Sequence, residues 1–373
     1  MITSDSFLWS KIVIKKFLLL ILVLLLVQIN SYSYRAIACH FDSNIVQVLN
    51  LDDEGNLEII DTIPTANNVE KIIMSPEGKF AYIYYGWEVE FLNIDKYQNI
   101  EYGGKALENR AISFASLSSN TKYFIYRWGE IRLFKINNDL TLIDTGSFIP
   151  FNYDLDPPEE HFALREYVES KYNNTIIGNN WQIEQLCILN RTEDEELIDT
   201  GQKISTEPYG ANGSVIITPD GKYCYISGNS GLGGVGGTVY CEISPDGEVI
   251  YKGLATDLCQ SDHLRITRDG RFFVHLANGI RDYRIEEDGS LTFINSITGL
   301  NLSQAFDVTP DNKYIVVSWN YNSYGQTVSV IRMYPDGTLE KLDKDQVWPG
   351  GFSDIRFIPP YVTSVDDVWE CYK

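Results

Sequence analysis

The chain has 373 residues, a formal net charge of −21 at pH 7, and aromatic side chains at 13% of its positions. A surface this acidic repels phosphate, so nucleic acid and anionic membrane surfaces are excluded as expected partners. Helical periodicity is hard to find, and the aromatic and β-branched runs indicate a β protein.

The N-terminus indicates export. Lys11, Lys15 and Lys16 precede an apolar run of eleven residues, 17–27, and Ser31-Tyr32-Ser33 offers a small-x-small cleavage pattern. Eleven apolar residues are too few to span a bilayer, which takes ~20 residues in a helix. Residues 1–33 are therefore predicted to be a signal peptide, with an uncleaved anchor as the alternative. The location is predicted to be secreted, periplasmic or in the cell envelope.

A five-residue turn motif, called the pentad below, recurs along the chain. Each copy lies between a short apolar run and an aromatic run typical of a β-strand. Its Pro, Asp and Gly suit a tight turn between two strands, and only that structural role is expected of them. The spacing of roughly 42 to 50 residues is the period of propeller blades. The copies lie at residues 75–79, 218–222, 267–271 and 309–313, with a degenerate copy at 118–122.

A second series of turns recurs with the same period as the pentads. Asp-Gly turns such as Asp246-Gly247, Asp288-Gly289 and Asp336-Gly337 follow later strands of each repeat. One repeat is therefore read as strand, pentad turn, strand, variable loop, strand, Asp-Gly turn and strand. This order predicts a four-stranded antiparallel blade.

The two ends of the chain are predicted to share one blade. Residues 35–39, 45–51 and 57–63 form its second to fourth strands, but no first strand precedes them. Residues 352–359 resemble the approach to a pentad and are expected to supply the missing inner strand, which removes an open sheet edge. With residues 150–204 as one divergent blade, the sequence predicts an all-β, seven-bladed β-propeller over residues 34–361 and a tail at 362–373.

Six cysteines lie beyond the apolar run, and an even number in an exported chain permits disulfides. Cys224 and Cys241 fall on consecutive strands and are the favoured pair, with buried free thiols as the alternative. Acidic clusters at 154–160 and 193–196 lack the alternating ligand order of a calcium loop. No metal or cofactor is predicted.

Counting back along the repeat locates a candidate site. The inner strand of a blade lines the channel, and about six residues at ~3.3 Å each carry it from one face to the other. Residues seven and eight places before the pentad Gly should therefore ring the channel mouth, opposite the pentads. The ring comprises Glu70, Lys71, Ser113, Phe114, Gly213, Ser214, Asp262, His263, Gln304, Ala305, Ser353 and Asp354.

Aromatic residues recur in the loop between the second and third strands, which opens on the same face. They are Trp87, Trp128, Trp181, Trp319, Tyr321 and Tyr324, with His40 at the equivalent place in the first blade. An aromatic rim over a polar mouth suits a sugar, a peptide or another amphiphilic ligand. The alternative for each Trp is packing between neighbouring blades.

The repeat resembles a known family. Thr-Pro-Asp-Gly-Lys-Tyr before a strand, and residues 326–332 leading to Asp336-Gly337-Thr338-Leu339, resemble the seven-bladed lactonase-like and YVTN-repeat propellers. The resemblance covers nearly all of the exported chain. Lactonase-type members often carry Pro-Arg-His before an inner strand, and Ser261-Asp262-His263 occupies that place here. Only the His matches, and Asp262 stands where the resemblance implies an Arg that holds an anionic substrate.

Two functions remain open from the sequence. The leading prediction is a monomeric, non-catalytic binding protein that takes a small molecule, glycan or protein at the channel mouth. Its ligand-binding residues would be Glu70, Lys71, Asp262, His263, Gln304, Asp354, Trp87, Trp128, Trp319 and His40. The alternative is a lactonase-like hydrolase in which His263 is a general base and Lys71 stabilises developing negative charge.

Overall fold

In the computed structural model, the described residues contain twenty-nine β-strands, which form seven antiparallel sheets arranged in a ring. Among the described residues there is no helix long and apolar enough to cross a membrane, and the apolar run at 17–27 lies outside them. The described residues are 33–40, 43–108, 110, 112, 114–118, 120–127, 130–150, 164–170, 174–180, 185–209, 213–228, 236–257, 263–276, 279–300, 305–322, 325–348 and 351–360.

Blade 1 joins the two ends of the chain, as the sequence predicts. Its inner strand is β29, which pairs antiparallel with β1 and shields the edge of that strand. The strands of blade 1 are β29 (Phe352–Phe357), β1 (Ser33–His40), β2 (Ile45–Asp52) and β3 (Leu57–Pro64). Blade 2 consists of β4 (Lys71–Met74), β5 (Phe80–Tyr85), β6 (Glu88–Ile94) and β7 (Ile100–Leu107).

The next three blades repeat this order of four strands. Blade 3 consists of β8 (Phe114–Leu117), β9 (Tyr123–Arg127), β10 (Glu130–Ile136) and β11 (Leu142–Pro150). Blade 4, the predicted divergent blade, consists of β12 (Leu164–Glu169), β13 (Thr175–Asn180), β14 (Gln185–Arg191) and β15 (Leu197–Ser205). Blade 5 consists of β16 (Val215–Ile217), β17 (Tyr223–Ser227), β18 (Thr238–Ile243) and β19 (Val249–Thr256).

Blade 7 departs slightly from the predicted pattern. Its outer edge is divided between two short strands, both paired with the same third strand. Blade 6 consists of β20 (His263–Ile266), β21 (Phe272–Leu276), β22 (Gly279–Ile285) and β23 (Leu291–Thr298). Blade 7 consists of β24 (Ala305–Val308), β25 (Tyr314–Asn322), β26 (Gly325–Met333), β27 (Leu339–Lys341) and β28 (Gln346–Trp348).

The core lies between the blades. Successive side chains of a strand point to opposite faces, so each inner or middle strand supplies two interfaces. Ala36 and Ala38 of β1 pack toward blade 7, whereas Ile37 and Cys39 pack toward blade 2. Because both faces are buried, these strands have near-continuous apolar runs rather than an alternating pattern.

The pentads are the turns that the sequence predicts. In each of the five, the backbone N–H of the fourth residue donates to the carbonyl of the first, as from Gly78 to Ser75 at 3.0 Å. The fourth residue has a positive φ in every copy, including +63° at Asn312 and +55° at Thr121 in the degenerate copy. These values lie in the left-handed region that Gly and Asn tolerate best, which explains the composition of the pentad.

The predicted disulfide is wrong. Cys224 and Cys241 do lie directly opposite each other on β17 and β18, but both are buried free thiols, as are Cys39 and Cys187. Both side chains pack in the apolar cluster between blades 4 and 5, where they act as small hydrophobic groups. Cys259 and Cys371 lie outside the described residues.

Candidate functional site

The inner strands of blades 6, 7, 1 and 2 bring charged side chains to the channel. These strands are β20, β24, β29 and β4, and consecutive members of this series lie side by side around the ring. His263 and Lys71 begin β20 and β4, and both side chains are partly exposed. Glu70 lies one residue before β4, where its backbone N–H donates to the carbonyl of Tyr84 at 3.1 Å. The positions counted back from the pentads therefore lie on inner strands or directly beside them.

Asp354 is the most buried charged group of the predicted ring, with 3% of its surface exposed. Its Oδ2 accepts from the backbone N–H of Ile72 at 3.1 Å and lies 3.3 Å from Arg356 Nη2. Its Oδ1 lies 3.8 Å from Arg265 Nη2. Burial raises the pKa of Asp354 to about 6, against the opposing effect of the nearby Lys71 and Arg265 cations. This carboxyl group therefore titrates near pH 6, well above the ordinary range of an aspartate.

A second layer of charge, which was not predicted from the sequence, lies one pleat deeper in the channel. Arg265 donates from Nε to Asp307 Oδ1 at 3.0 Å, and its guanidinium also lies 5.2 Å from the centre of the Phe306 ring. Asp307 Oδ2 accepts from the backbone N–H of Phe357 at 2.7 Å. Arg356 Nε donates to the carbonyl of Ile72 at 3.3 Å. Strand alternation could have predicted this layer, because Arg265 and Asp307 each lie five residues before the fourth residue of the pentad that follows.

Below this layer the channel contains a cavity of about 280 Å³ that extends toward the pentads. Arg356 and Asp307 line its upper part, and Arg268 reaches from its own pentad to the carbonyl of Phe357, with Nη2 at 3.4 Å. The remaining lining is mainly apolar, including Met74, Ile216 and the prolines of neighbouring turns. The channel is thus charged in its middle and apolar near the pentads.

Lys71 differs from the two channel arginines in its contacts. Arg265 and Arg356 both make ion pairs with carboxylates, whereas the side chain of Lys71 makes no hydrogen bond or ion pair with any described residue. It lies close enough to lower the pKa of Asp354 and of the Cys39 thiol. Lys71 is therefore a cation at the mouth that can contact an incoming anionic group.

The predicted aromatic rim is only partly formed by the described residues. Trp87 occupies the two-residue turn between β5 and β6 and is 64% exposed, as expected for a rim residue. Trp319 is half-buried against the core between blades 6 and 7, and its Nε1 donates to Ser329 Oγ at 2.7 Å. His40 is 4% exposed and packs on Phe352 with ring centres 4.7 Å apart. Trp319 and His40 thus have structural contacts, which the packing alternative describes better.

Several predicted residues cannot be placed. Asp262, Gln304, Trp128, Trp181, Ser113 and Tyr324 lie outside the described residues, and nothing is described of the side chains of Phe114 and Tyr321. Ser214 donates its backbone N–H to Ser227 Oγ at 2.8 Å and is buried, so it supports the blade rather than the mouth.

No protein-family model matches the chain, and no curated protein matches it in sequence. Solved structures do match its fold. The periplasmic gluconolactonase PpgL of Pseudomonas aeruginosa has 16% identity and a TM-score of 0.69, over 88% of this chain and 99% of that one. A protein of Bacteroides fragilis assigned as a 6-phosphogluconolactonase has 17% identity and a TM-score of 0.68, over 87% and 98%. One of Bacteroides uniformis with the same assignment has 15% identity and a TM-score of 0.69, over 87% and 99%.

These similarities confirm the resemblance to lactonase-like propellers at the level of the fold. They also correct the leading functional prediction. A non-catalytic binding protein was expected, but these three structural neighbours carry lactonase names, which favours the hydrolase alternative. The physical reason for the error is that turn motifs and an aromatic rim describe a scaffold, and the same scaffold serves binding and catalysis alike.

Proposed function

We propose that the chain is an exported hydrolase of sugar lactones that acts at the channel mouth. The observation that carries the proposal is the concentration of titratable groups on four neighbouring inner strands. There Lys71, without a described partner, lies near a buried carboxyl group whose pKa is about 6. Clusters of perturbed groups in a concave site are typical of active sites.

The chemistry requires a base and a cation. His263 accepts a proton from water as the water oxygen bonds to the lactone carbonyl carbon, and the carbonyl electron pair moves to oxygen. Lys71 stabilises the resulting oxyanion. The carbonyl then re-forms, the ring C–O bond breaks, and the imidazolium returns its proton to the leaving alkoxide. The product is a hydroxy acid, and the base is regenerated.

Asp354 has a positioning role in this proposal. It lies between Arg265 and Arg356 and accepts from the backbone of β4 at the residue after Lys71. These contacts tie the inner strands of blades 6, 1 and 2 together. They hold Lys71 at a fixed place relative to the opposite wall, and catalysis of this kind depends on fixed placement of the charged group.

We infer that the substrate is unphosphorylated. Asp262 precedes His263 in the sequence where the resemblance implies an Arg, and a carboxylate disfavours a phosphate group. The predicted signal peptide supports the same inference, as does the name of the periplasmic neighbour. N-terminal sequencing of exported protein checks the location, and a mature chain that begins near residue 34 is the expected result.

Lactone hydrolysis by the purified chain tests the proposal. Acid release from gluconolactone and 6-phosphogluconolactone is followed in a pH-stat and compared with the spontaneous rate. We expect turnover of gluconolactone in preference to the phosphorylated lactone. His263→Gln and Lys71→Met should each lower kcat by roughly 100-fold or more, because each removes a group that acts in the transition state.

Lys222→Met is the matched control, since it removes a partly exposed pentad lysine that contacts the Tyr223 ring on β17, away from the channel mouth. It should leave turnover unchanged. Hydrolysis no faster than in buffer for every lactone would overturn the proposal. Equal turnover by His263→Gln and the unsubstituted chain would move the reaction to another site.

A further inference from the structure

The pentad of blade 2 differs from the other four in its third residue. In blades 5, 6 and 7 this residue is Asp, and in blade 3 it is Asn. Each of these short side chains accepts from the hydroxyl of the first pentad residue, as Asp269 does from Thr267 at 2.7 Å. Each also accepts from the backbone N–H of the fifth residue. Each short side chain therefore has hydrogen-bond donors within its own turn, and Asp311 also accepts from the hydroxyl of Tyr34.

Glu77 occupies this place in blade 2, and its side chain is one methylene longer. It makes neither of those turn bonds. Ser75 Oγ alone accepts from the backbone N–H groups of Lys79 and Phe80, at 3.0 and 3.1 Å. Glu77 is nevertheless 5% exposed, and no described residue donates to its Oε2 atom. A buried acceptor without a donor is costly and calls for an explanation.

Glu77 lines a cavity of about 600 Å³ between blades 2 and 3, at the pentad end and away from the channel mouth. The cavity wall also contains the aromatic rings of Phe80 and Phe91 and the side chain of Asn93. Gly103 makes this arrangement possible, since a Cβ there would overlap the Phe91 ring and lie 2.8 Å from Asn93 Nδ2. The volume falls in the range of small-molecule pockets.

The charges of the cavity wall select its ligand. Glu77 and Asp139 are opposed by Lys79 and Lys122, so neither a cation nor an anion is favoured. Amide and hydroxyl groups, including Asn138, supply further donors and acceptors. Carboxylate and amide groups beside aromatic rings suit a neutral molecule with many hydroxyls and an apolar ring face.

We propose that this cavity between blades 2 and 3 is a binding site for a neutral mono- or disaccharide, with Glu77 Oε2 accepting from a sugar hydroxyl. The site is separate from the channel mouth and does not depend on lactone hydrolysis. It gives the long side chain at the third pentad position a role that the turn itself does not require.

Isothermal titration with glucose, galactose, maltose and cellobiose at millimolar concentrations tests the site. We expect at least one of these sugars to bind. Glu77→Asp gives blade 2 the pentad acid of the other blades, so it should fold normally while its carboxylate turns back to Ser75. Its affinity for the sugar should fall roughly tenfold or more, as expected for loss of a hydrogen bond to a charged group.

Glu248→Asp is the matched control, because it makes the same chemical change at an exposed residue of blade 5. It should bind sugar like the unsubstituted chain. Asn138→Ala, at an exposed edge of the cavity, provides a second variant and should also weaken binding. His263→Gln should leave sugar binding intact, which separates this proposal from the hydrolase. Absence of binding by any of the four sugars, or unchanged affinity in Glu77→Asp, would overturn it.

Discussion

Every blade has an inner strand at the same place, but the inner strands on the two sides of the ring differ in the charged residues that they carry. On the side of blades 6, 7, 1 and 2, the inner strands carry His263, Arg265, Asp307, Asp354, Arg356 and Lys71. On the opposite side, β8 and β16 carry the sequences Phe-Ala-Ser-Leu and Val-Ile-Ile, without an ionisable group, whereas β12 between them carries Arg165, Glu166 and Glu169. The hydrogen-bonded ladders are alike on both sides.

This contrast indicates that the repeated backbone and the charged side chains of the inner strands are separable. A backbone that recurs in all seven blades tolerates any side chain that its neighbours can pair or solvate. The charges on one side pair across blade boundaries, as Arg265 does with Asp307 and Asp354. Such a group of charges forms only where consecutive blades each contribute a side chain. It is therefore a feature of the assembled ring.

The largest effect is expected for Arg265→Met. The substitution leaves Asp307 and Asp354 without their shared cation, and both are largely shielded from water. Removing one partner of a buried pair is costly, and the free energy of unfolding should fall by about 3 kcal/mol. Urea denaturation measures this change in the free energy of unfolding.

Ile216→Met in blade 5 provides the control, because Ile216 lies at the equivalent inner-strand place and the volume is conserved. Its cost should stay below about 1.5 kcal/mol. If both substitutions destabilised the chain equally, the contrast between the two sides would have no energetic basis.

A smaller effect is expected at Asp282, a buried carboxyl group between blades 6 and 7 that has no described partner. Burial raises its pKa to about 8. The folded state therefore holds a proton that the unfolded chain releases near pH 4, so stability falls as pH rises through this range. Between pH 6.5 and 8 the loss should be roughly 1 to 2 kcal/mol.

Thermal unfolding of Asp282→Asn and of the unsubstituted chain at pH 6.5 and 8 tests this expectation. The difference between the two proteins should grow with pH. The buried His275 does not interfere, because burial lowers its pKa to about 4 and its contribution is confined to pH below about 6.5. A constant difference would mean that Asp282 is ionised throughout.

The smallest effect is expected for Ser116→Ala, on β8, an inner strand without an ionisable group. The hydroxyl group of Ser116 is buried and has no partner among the described residues. Replacing it by a methyl group removes an unsatisfied polar atom, so stability should change by less than about 0.5 kcal/mol or rise slightly. A loss above about 1 kcal/mol in urea denaturation would indicate a hydrogen bond to that hydroxyl.

Much of the fold could be predicted because turn chemistry is local. A pentad needs a positive φ at its fourth residue, and four of the five copies add a short acceptor at the third; both features are visible in adjacent residues. The ring closure could be predicted as well, because residues 352–357 carry an inner-strand pattern with no blade of their own.

The site could be predicted only in part, because its contacts cross blade boundaries. His263, Lys71 and Asp354 follow from counting, but the pairing of Arg265 with Asp307 depends on how two blades pack. His40 was expected on a rim, but β1 continues to His40, which packs on Phe352. The departure of Glu77 from the repeat is visible in the sequence, whereas its burial depends on blade 3.

The pairing of β29 with β1 has a consequence for synthesis of the chain. A ribosome makes blades 2 to 7 before it makes the strand that completes blade 1, so the ring stays open until residues 352–357 emerge. The same strand supplies Asp354 and Arg356. A chain truncated before residue 352 therefore lacks both the strand that closes blade 1 and two of the charges in the channel.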